Sequence, residues 1–323
     1  MSAAREKRRA AFLMEPGLKE KLFDADQWAR LNQHLHFGLP DVEVLITGWG
    51  AEKLSAVELD HMPSLKAIFH SGGTVKPILP REVWNRGVLV TTASAANALP
   101  VAEFTLASIL FAGKAVPSIV REYARTPDID LQDTRFASLG NYRKTIGIVG
   151  ASQIGRRVID LLQPFDFAVL VSDPYLDPAE AQSLGVTPVP LAELFRLSDI
   201  VSLHAPLLAS TTGMISAELL ESMRPGATLI NTARGGLLDQ DALVCLLAEG
   251  RITALLDVTE PEPLPADHPL RTLPNVTLTP HLAGARGNEL HRLGESVVRE
   301  VEAFATGHPP LKPFTLGDLE KSA

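Results

Sequence analysis

Cysteine is almost missing from this chain of 323 residues, with Cys245 the single example. That excludes a disulfide framework and any cysteine-built metal cluster. Its setting, Ala-Leu-Val-Cys-Leu-Leu, reads as an inert thiol inside a core. Long apolar runs are also absent to the eye: nothing approaches the roughly 20 residues of a membrane span. The N-terminal Arg5, Lys7, Arg8 and Arg9 precede an apolar stretch of residues 10–14 only, too short for a signal-peptide core. The expectation is a cytoplasmic protein without a membrane partner. A surplus of positive charge is lacking too. The formal net charge of −8 argues against a nucleic-acid surface. What remains is a soluble globular composition, 46% hydrophobic and 21% charged, with length enough for two ordinary domains.

Short apolar strand candidates alternate with amphipathic segments along most of the chain, which is the rhythm of doubly wound parallel sheets. In the first third, residues 10–14, 42–46, 65–69 and 88–92 read as buried strands, with a helix over 25–35. The rhythm restarts after residue 144, with strands expected at 146–149, 167–171, 200–203, 227–231, 254–258 and 276–279. Ile154, Val158, Leu161 and Leu162 form one helical face. Asp239 and Gly250 frame a helix over 240–249. Two longer helices, one starting near Val101 and one over 288–306, are placed to join domains, whereas 125–144 lacks periodicity and reads as an extended loop. The layout predicts a first domain of residues 1–112 completed by 291–323, interrupted by a second of 113–290, with ligands expected in a cleft beyond the carboxyl ends of the strands.

Residues 145–155, Thr-Ile-Gly-Ile-Val-Gly-Ala-Ser-Gln-Ile-Gly, come close to a dinucleotide-binding fingerprint, and Asp173 follows at the end of the next apolar run. Gly150 permits the tight turn off the strand, Gly155 allows the helix to pack close to the sheet, and backbone N–H groups of Ser152, Gln153 and Ile154 would face a pyrophosphate. Asp173 would bind the adenosine ribose hydroxyls and repel a 2′-phosphate, favouring NAD over NADP. The middle glycine of the fingerprint is replaced by Ser152. Further on, three strand ends exit into Thr232-Ala233-Arg234, into Asp257 with Glu262, and into Thr279-Pro280-His281. One such residue is usually a solvated loop residue. Three at neighbouring strand ends of a nucleotide fold make a site.

With these residues in view the chain resembles the D-isomer-specific 2-hydroxyacid dehydrogenases over essentially its whole length. The match rests on residues 150–155 with Asp173, Ser202-Leu203-His204-Ala205-Pro206-Leu207, Asn231-Thr232-Ala233-Arg234-Gly235-Gly236, Asp257 with Glu262-Pro263, Thr279-Pro280-His281, Val101-Ala102-Glu103, and Ser71-Gly72-Gly73-Thr74. The resemblance implies an α/β protein in which a Rossmann NAD-binding domain is inserted into a flavodoxin-like substrate domain, forming a homodimer in which 125–144 and the preceding helix are a candidate interface. It implies hydride transfer between NAD(H) and C2 of a small 2-oxo or D-2-hydroxy acid. His281 would exchange the proton, since imidazole titrates near neutral pH. Glu262 would hold the other ring nitrogen, and Arg234 would clamp the carboxylate and carbonyl with its planar fork of donors. Ser71, Gly72 and Gly73 would cradle the substrate carboxylate; Ala205, Thr232, Ala233 and Asp257 would line the cofactor. No metal is expected, since His34 and His36 lack companion ligands. His204 is read as shaping the nucleotide domain. Phe104 stands where many relatives carry histidine, and Trp49 is either a substrate overhang or a packing aromatic. The competing reading is an NAD(H)-binding corepressor-like regulator on the same fold. A formate-dehydrogenase-like chain is expected to carry glutamine in place of Glu262.

Overall fold

Two parallel sheets organise the chain in a computed structural model that describes residues 6–126, 128–130 and 136–321. They belong to two compact units, Met1–Pro100 with Ala285–Ala323 and Val101–Gly284. Both are doubly wound α/β, the fold class read from the sequence.

In the first unit the strands are β1 (Arg8–Leu13), β2 (Leu35–Phe37), β3 (Val44–Thr47), β4 (Ala67–His70) and β5 (Leu89–Thr92). All pair in parallel in the order β2-β1-β3-β4-β5, which is flavodoxin-like. Val44, Ile46, Ala67 and Phe69 are fully buried, as strands covered by helices on both faces must be. The C-terminal segment returns as the helix Leu290–Thr306, whose Leu293, Val297, Val298 and Val301 enter the same core as Leu18, Leu22 and Leu31. Each such side chain contributes about 1.5–3 kcal/mol of burial, which fastens the C-terminal segment to the N-terminal half. Trp49 packs against this core with the Arg286 guanidinium 5.8 Å from its ring centre.

In the second unit the strands are β6 (Thr145–Val149), β7 (Ala168–Ser172), β8 (Thr187–Pro188), β9 (Ile200–Leu203), β10 (Thr228–Asn231), β11 (Thr253–Leu256) and β12 (Val276–Leu278). Their order, β12-β11-β10-β9-β6-β7-β8, is the Rossmann arrangement. The winding reverses between β6 and β9, which are neighbours in the sheet, so the switch point where such folds bind ligands opens at the turn after β6.

Several expectations need correction. The helix expected near Val101 begins earlier, at Ser94, and continues to Gly113 with Pro100 inside it. The unit boundary therefore falls within this helix, at Pro100 and Val101, rather than after residue 112, and the return crosses at Gly284 and Ala285 rather than at 290. By length and composition this 20-residue helix would also suffice to cross a membrane, contrary to the reading that no run comes close. Its polar Thr105 and Ser108 are nonetheless buried, and Ala102 and Ile109 enter the core around β6, as in the core helix of a globular fold. The expected loop over 125–144 follows an unforeseen helix, Val116–Tyr123, and ends in turns; Pro127 and residues 131–135, like Arg5, lie outside the described residues. Cys245 is exposed, not buried. In the helix Gln240–Ala248 the inward face is Leu243, Leu246 and Leu247, and the helical period turns residue 245 outward.

Candidate active site

The turn after β6 admits glycine alone at two points. Gly150 has φ +95°, and a Cβ there would lie 2.7 Å from the Ala205 nitrogen; one on Gly155 would lie 2.1 Å from the Gly150 oxygen. The helix Gln153–Leu162 therefore starts hard against the strand end, presenting the N–H groups of Gln153 and Ile154, which have no intrahelical partner. Ser152 is its N-cap: the side-chain oxygen accepts the Gly155 N–H at 3.3 Å. The hydroxyl in place of the middle glycine is thus turned back onto its own helix. Asp173, just beyond β7, reaches to the same turn. Its carboxylate accepts the Ala151 N–H at 2.6 Å and the Tyr175 N–H at 2.7 Å. Beneath the turn His204 is buried, its Nε2 2.9 Å from Ser202 Oγ and its Nδ1 without a hydrogen-bond partner among the described residues. Burial pushes its pKa down to about 3, so this imidazole is neutral and structural.

The neighbouring strand ends bring the other residues together. After β10, Asn231 folds the chain upon itself: its Oδ1 accepts the Ala233 N–H at 3.0 Å and its Nδ2 donates to the Arg234 carbonyl at 2.9 Å. Thr232 shares a 3.0 Å hydrogen bond with Thr105. Arg234 is thereby presented from a turn with side-chain rivets, and one of its guanidinium nitrogens donates to the Ala233 carbonyl at 2.7 Å. Partial burial lowers the Arg234 pKa, and the charge of Glu262 opposes that shift. Arginine stays protonated regardless.

After β11, Asp257 is buried at 2% exposure, and its carboxylate accepts from Thr279 Oγ1, Leu282 N–H and Ala283 N–H at 2.6, 2.8 and 2.9 Å. The carboxylate organises the loop after β12. On that loop His281 adopts φ +52°, a left-handed conformation uncommon outside glycine. Its Nδ1 stands 2.7 Å from Glu262 Oε1, both side chains being about two-fifths exposed. Arg234, Glu262, His281 and Asp257 all belong to Val101–Gly284.

Ser71, Gly72 and Gly73 lie in the other unit, after β4. Both donors of Ser71 are spent on Thr47, whose carbonyl accepts the Ser71 N–H at 2.8 Å and the hydroxyl at 2.9 Å. Ser71 therefore anchors the turn, and the N–H groups of Gly72 and Gly73 are its donors without a partner among the described residues. His70 underlies them. It is buried, bonded through Nδ1 to Thr47 Oγ1 at 2.9 Å, and its Nε2 would lie 2.5 Å from any Cβ on Gly72. Burial lowers its pKa to about 4.

His70 is the residue that sequence reasoning passed over, and Asn231, named there as part of a motif, was given no role of its own. A histidine ending an apolar strand, and an asparagine two residues ahead of a turn N–H, are the signals that could have found them. Among the described residues no group of histidine, cysteine and carboxylate side chains is placed to hold a metal.

Over residues 107–283 the sequence matches the family described as D-isomer specific 2-hydroxyacid dehydrogenase, NAD binding domain. It is 34% identical over 264 residues to a D-3-phosphoglycerate dehydrogenase from Methanocaldococcus jannaschii, covering 81% of this chain but 49% of that protein. The chain thus spans about half the length of the phosphoglycerate dehydrogenases it matches. It is 35% identical over 262 residues to a glyoxylate reductase from Korarchaeum cryptofilum, covering 80% of this chain and 79% of that one. Among solved structures, a phosphoglycerate oxidoreductase from Rhizobium etli is similar at a TM-score of 0.80 and 29% identity, over 95% of this chain and 98% of that one.

Proposed function

The chain belongs to the D-isomer-specific 2-hydroxyacid dehydrogenases, and on that footing we propose that it interconverts a small 2-oxo acid and its D-2-hydroxy acid. The observation that carries the proposal is the 2.7 Å contact of His281 Nδ1 with Glu262 Oε1, on strand-end loops of the unit whose β10 exit presents Arg234. In that pair the carboxylate keeps the proton on Nδ1 and leaves Nε2 to exchange a proton with the substrate oxygen. Arg234, always charged, binds the carboxylate and polarises the carbonyl with its planar fork. In its own unit, the turn of Gly72 and Gly73 offers backbone N–H groups suited to a carboxylate, with Ser71 and His70 holding that turn in shape.

When bound, NAD(H) would supply or accept the hydride at C2. The turn fits it: Gly150 and Gly155 leave no side chain at the helix start, and the first-turn N–H groups of Gln153 and Ile154 suit a pyrophosphate. Asp173 takes the ribose hydroxyls on the remaining lone pairs of its carboxylate and disfavours a 2′-phosphate. Ala205, Thr232 and Ala233 line the cofactor at the ends of β9 and β10. Asp257 acts there through the loop it holds.

The test is a panel of 2-oxo acids, from glyoxylate and hydroxypyruvate to longer chains, assayed with NADH and with NADPH in parallel. NADH oxidation with a D-configured product from the chiral members of the panel is expected. An L product overturns the assignment, and NADH binding without turnover across the panel supports the regulatory reading instead. A preference for NADPH overturns the role of Asp173.

We also propose a homodimer built on the second unit. The helix Val116–Tyr123 has no buried residue, and Val120 and Tyr123, with Phe111 just before them, are 60%, 61% and 56% exposed. A Val120→Glu variant is expected to shift the mass measured by light scattering from two chains to one.

A further inference from the structure

Nothing in their own burial holds Glu262 and His281 in place, since exposed ion pairs keep their geometry weakly. The loop of Glu262, residues 259–263, is gripped at the backbone of one residue, Glu260, instead. Gln240 Nε2 donates to the Glu260 carbonyl at 2.7 Å, and Gln240 Oε1 accepts the Glu260 N–H at 3.0 Å. Together the two bonds imitate one rung of a β-ladder. The peptide joining Thr259 to Glu260 packs directly on Gly235, where a Cβ would lie 2.1 Å from the Thr259 carbonyl carbon and 2.6 Å from the Glu260 nitrogen. Thr259 Oγ1 then donates to the Pro261 carbonyl at 2.9 Å, fixing the next bend.

Gln240 is a sound anchor because it opens the helix Gln240–Ala248. Asp239 caps that helix on the Ala242 N–H at 3.0 Å, and its own N–H donates to the Ile215 carbonyl at 2.9 Å.

We infer that Gln240 is a positioning residue for the proposed reaction: by gripping the Glu260 backbone it sets Glu262 against His281. Because Gly235 rests on that backbone, the grip also fixes Glu262 relative to the turn of Arg234. Gln240 touches no reacting atom. The inference rests on the reading of Glu262 and His281 as the proton-transfer pair.

The test is a double-mutant cycle on the full chain, with kcat and KM measured on the best substrate and NADH binding followed by fluorescence. Gln240→Ala is expected to lower kcat on the order of tenfold, the scale of a small misplacement in an active site, with NADH binding unchanged. Glu262→Gln is expected to lower kcat further. The double variant should be no slower than Glu262→Gln alone, because a residue acting only through Glu262 has nothing left to act on. Losses that multiply, or NADH binding that falls together with kcat, overturn the inference. Wild-type kcat in Gln240→Ala beside an impaired Glu262→Gln overturns it alone. Wild-type kcat in Glu262→Gln overturns the proton-pair reading and the inference with it.

Discussion

Asp257 and His281 are joined through the backbone: the carbonyl of Asp257 accepts the His281 N–H at 2.9 Å, while its carboxylate holds the N–H groups of the next two residues. The left-handed conformation of His281 costs of order 1–3 kcal/mol and is maintained by these bonds. An Asp257→Asn variant turns an NH₂ group toward donors that the carboxylate satisfied. Stability should fall by about 1–3 kcal/mol, read from denaturant unfolding. Turnover should fall with it, as His281 loses its presentation. Wild-type stability and kcat together would show that the loop holds itself.

His281→Ala should lower kcat by about 10²–10⁴ and leave NADH binding intact by fluorescence titration. Residual activity near wild type on a good substrate would remove His281 from the mechanism.

Ser152 separates a helix-capping role from a cofactor role. Its hydroxyl caps the helix Gln153–Leu162, so Ser152→Ala should cost about 0.5–2 kcal/mol of stability and Ser152→Gly only a few tenths. NADH affinity should be the same in Ser152→Gly and wild type. A tenfold weaker affinity would place the hydroxyl on the pyrophosphate.

The two neutral buried histidines make stability depend on pH with a definite sign. Their folded-state pKa values, about 4 for His70 and about 3 for His204, lie below the ordinary value near 6.5. Above pH 6.5 neither state binds the proton, and their contribution to stability is whole. Below it the unfolded chain is protonated first, so stability drains away as pH falls toward 4, by up to about 1.4 kcal/mol per pH unit for each group. Removing one titrating group, as in His204→Asn, should flatten the slope of unfolding free energy between pH 6.5 and 4.5. A slope equal to that of wild type would assign the acid sensitivity to carboxylates.

Much of this architecture was legible because buried parallel strands are continuous apolar runs. Residues 200–203 match β9 residue for residue, and the other long strands shift by one or two positions at one or both ends. The short edge strands β2 and β8 escaped, since Leu35-His36-Phe37 and Thr187-Pro188 carry too few apolar residues to signal burial. The helix expected near Val101 starts at Ser94 and has Pro100 inside it, where proline ordinarily marks a helix boundary. At the candidate site the residue types and strand ends were readable, along with the capping Asp239. Their hydrogen bonds were not. That Asp257 spends its carboxylate on the His281 loop, Ser71 its donors on Thr47, and Asn231 its amide on the Arg234 turn depends on backbone atoms brought close only by folding.

The exposed thiol of Cys245 has a practical use. Being the sole cysteine, it accepts a maleimide dye at one defined position with no engineered mutation. It sits on the helix whose first residue grips the Glu262 loop. A dye there would report on the surroundings of that helix as substrate or NADH is added, so the wild-type chain offers its own labelling site.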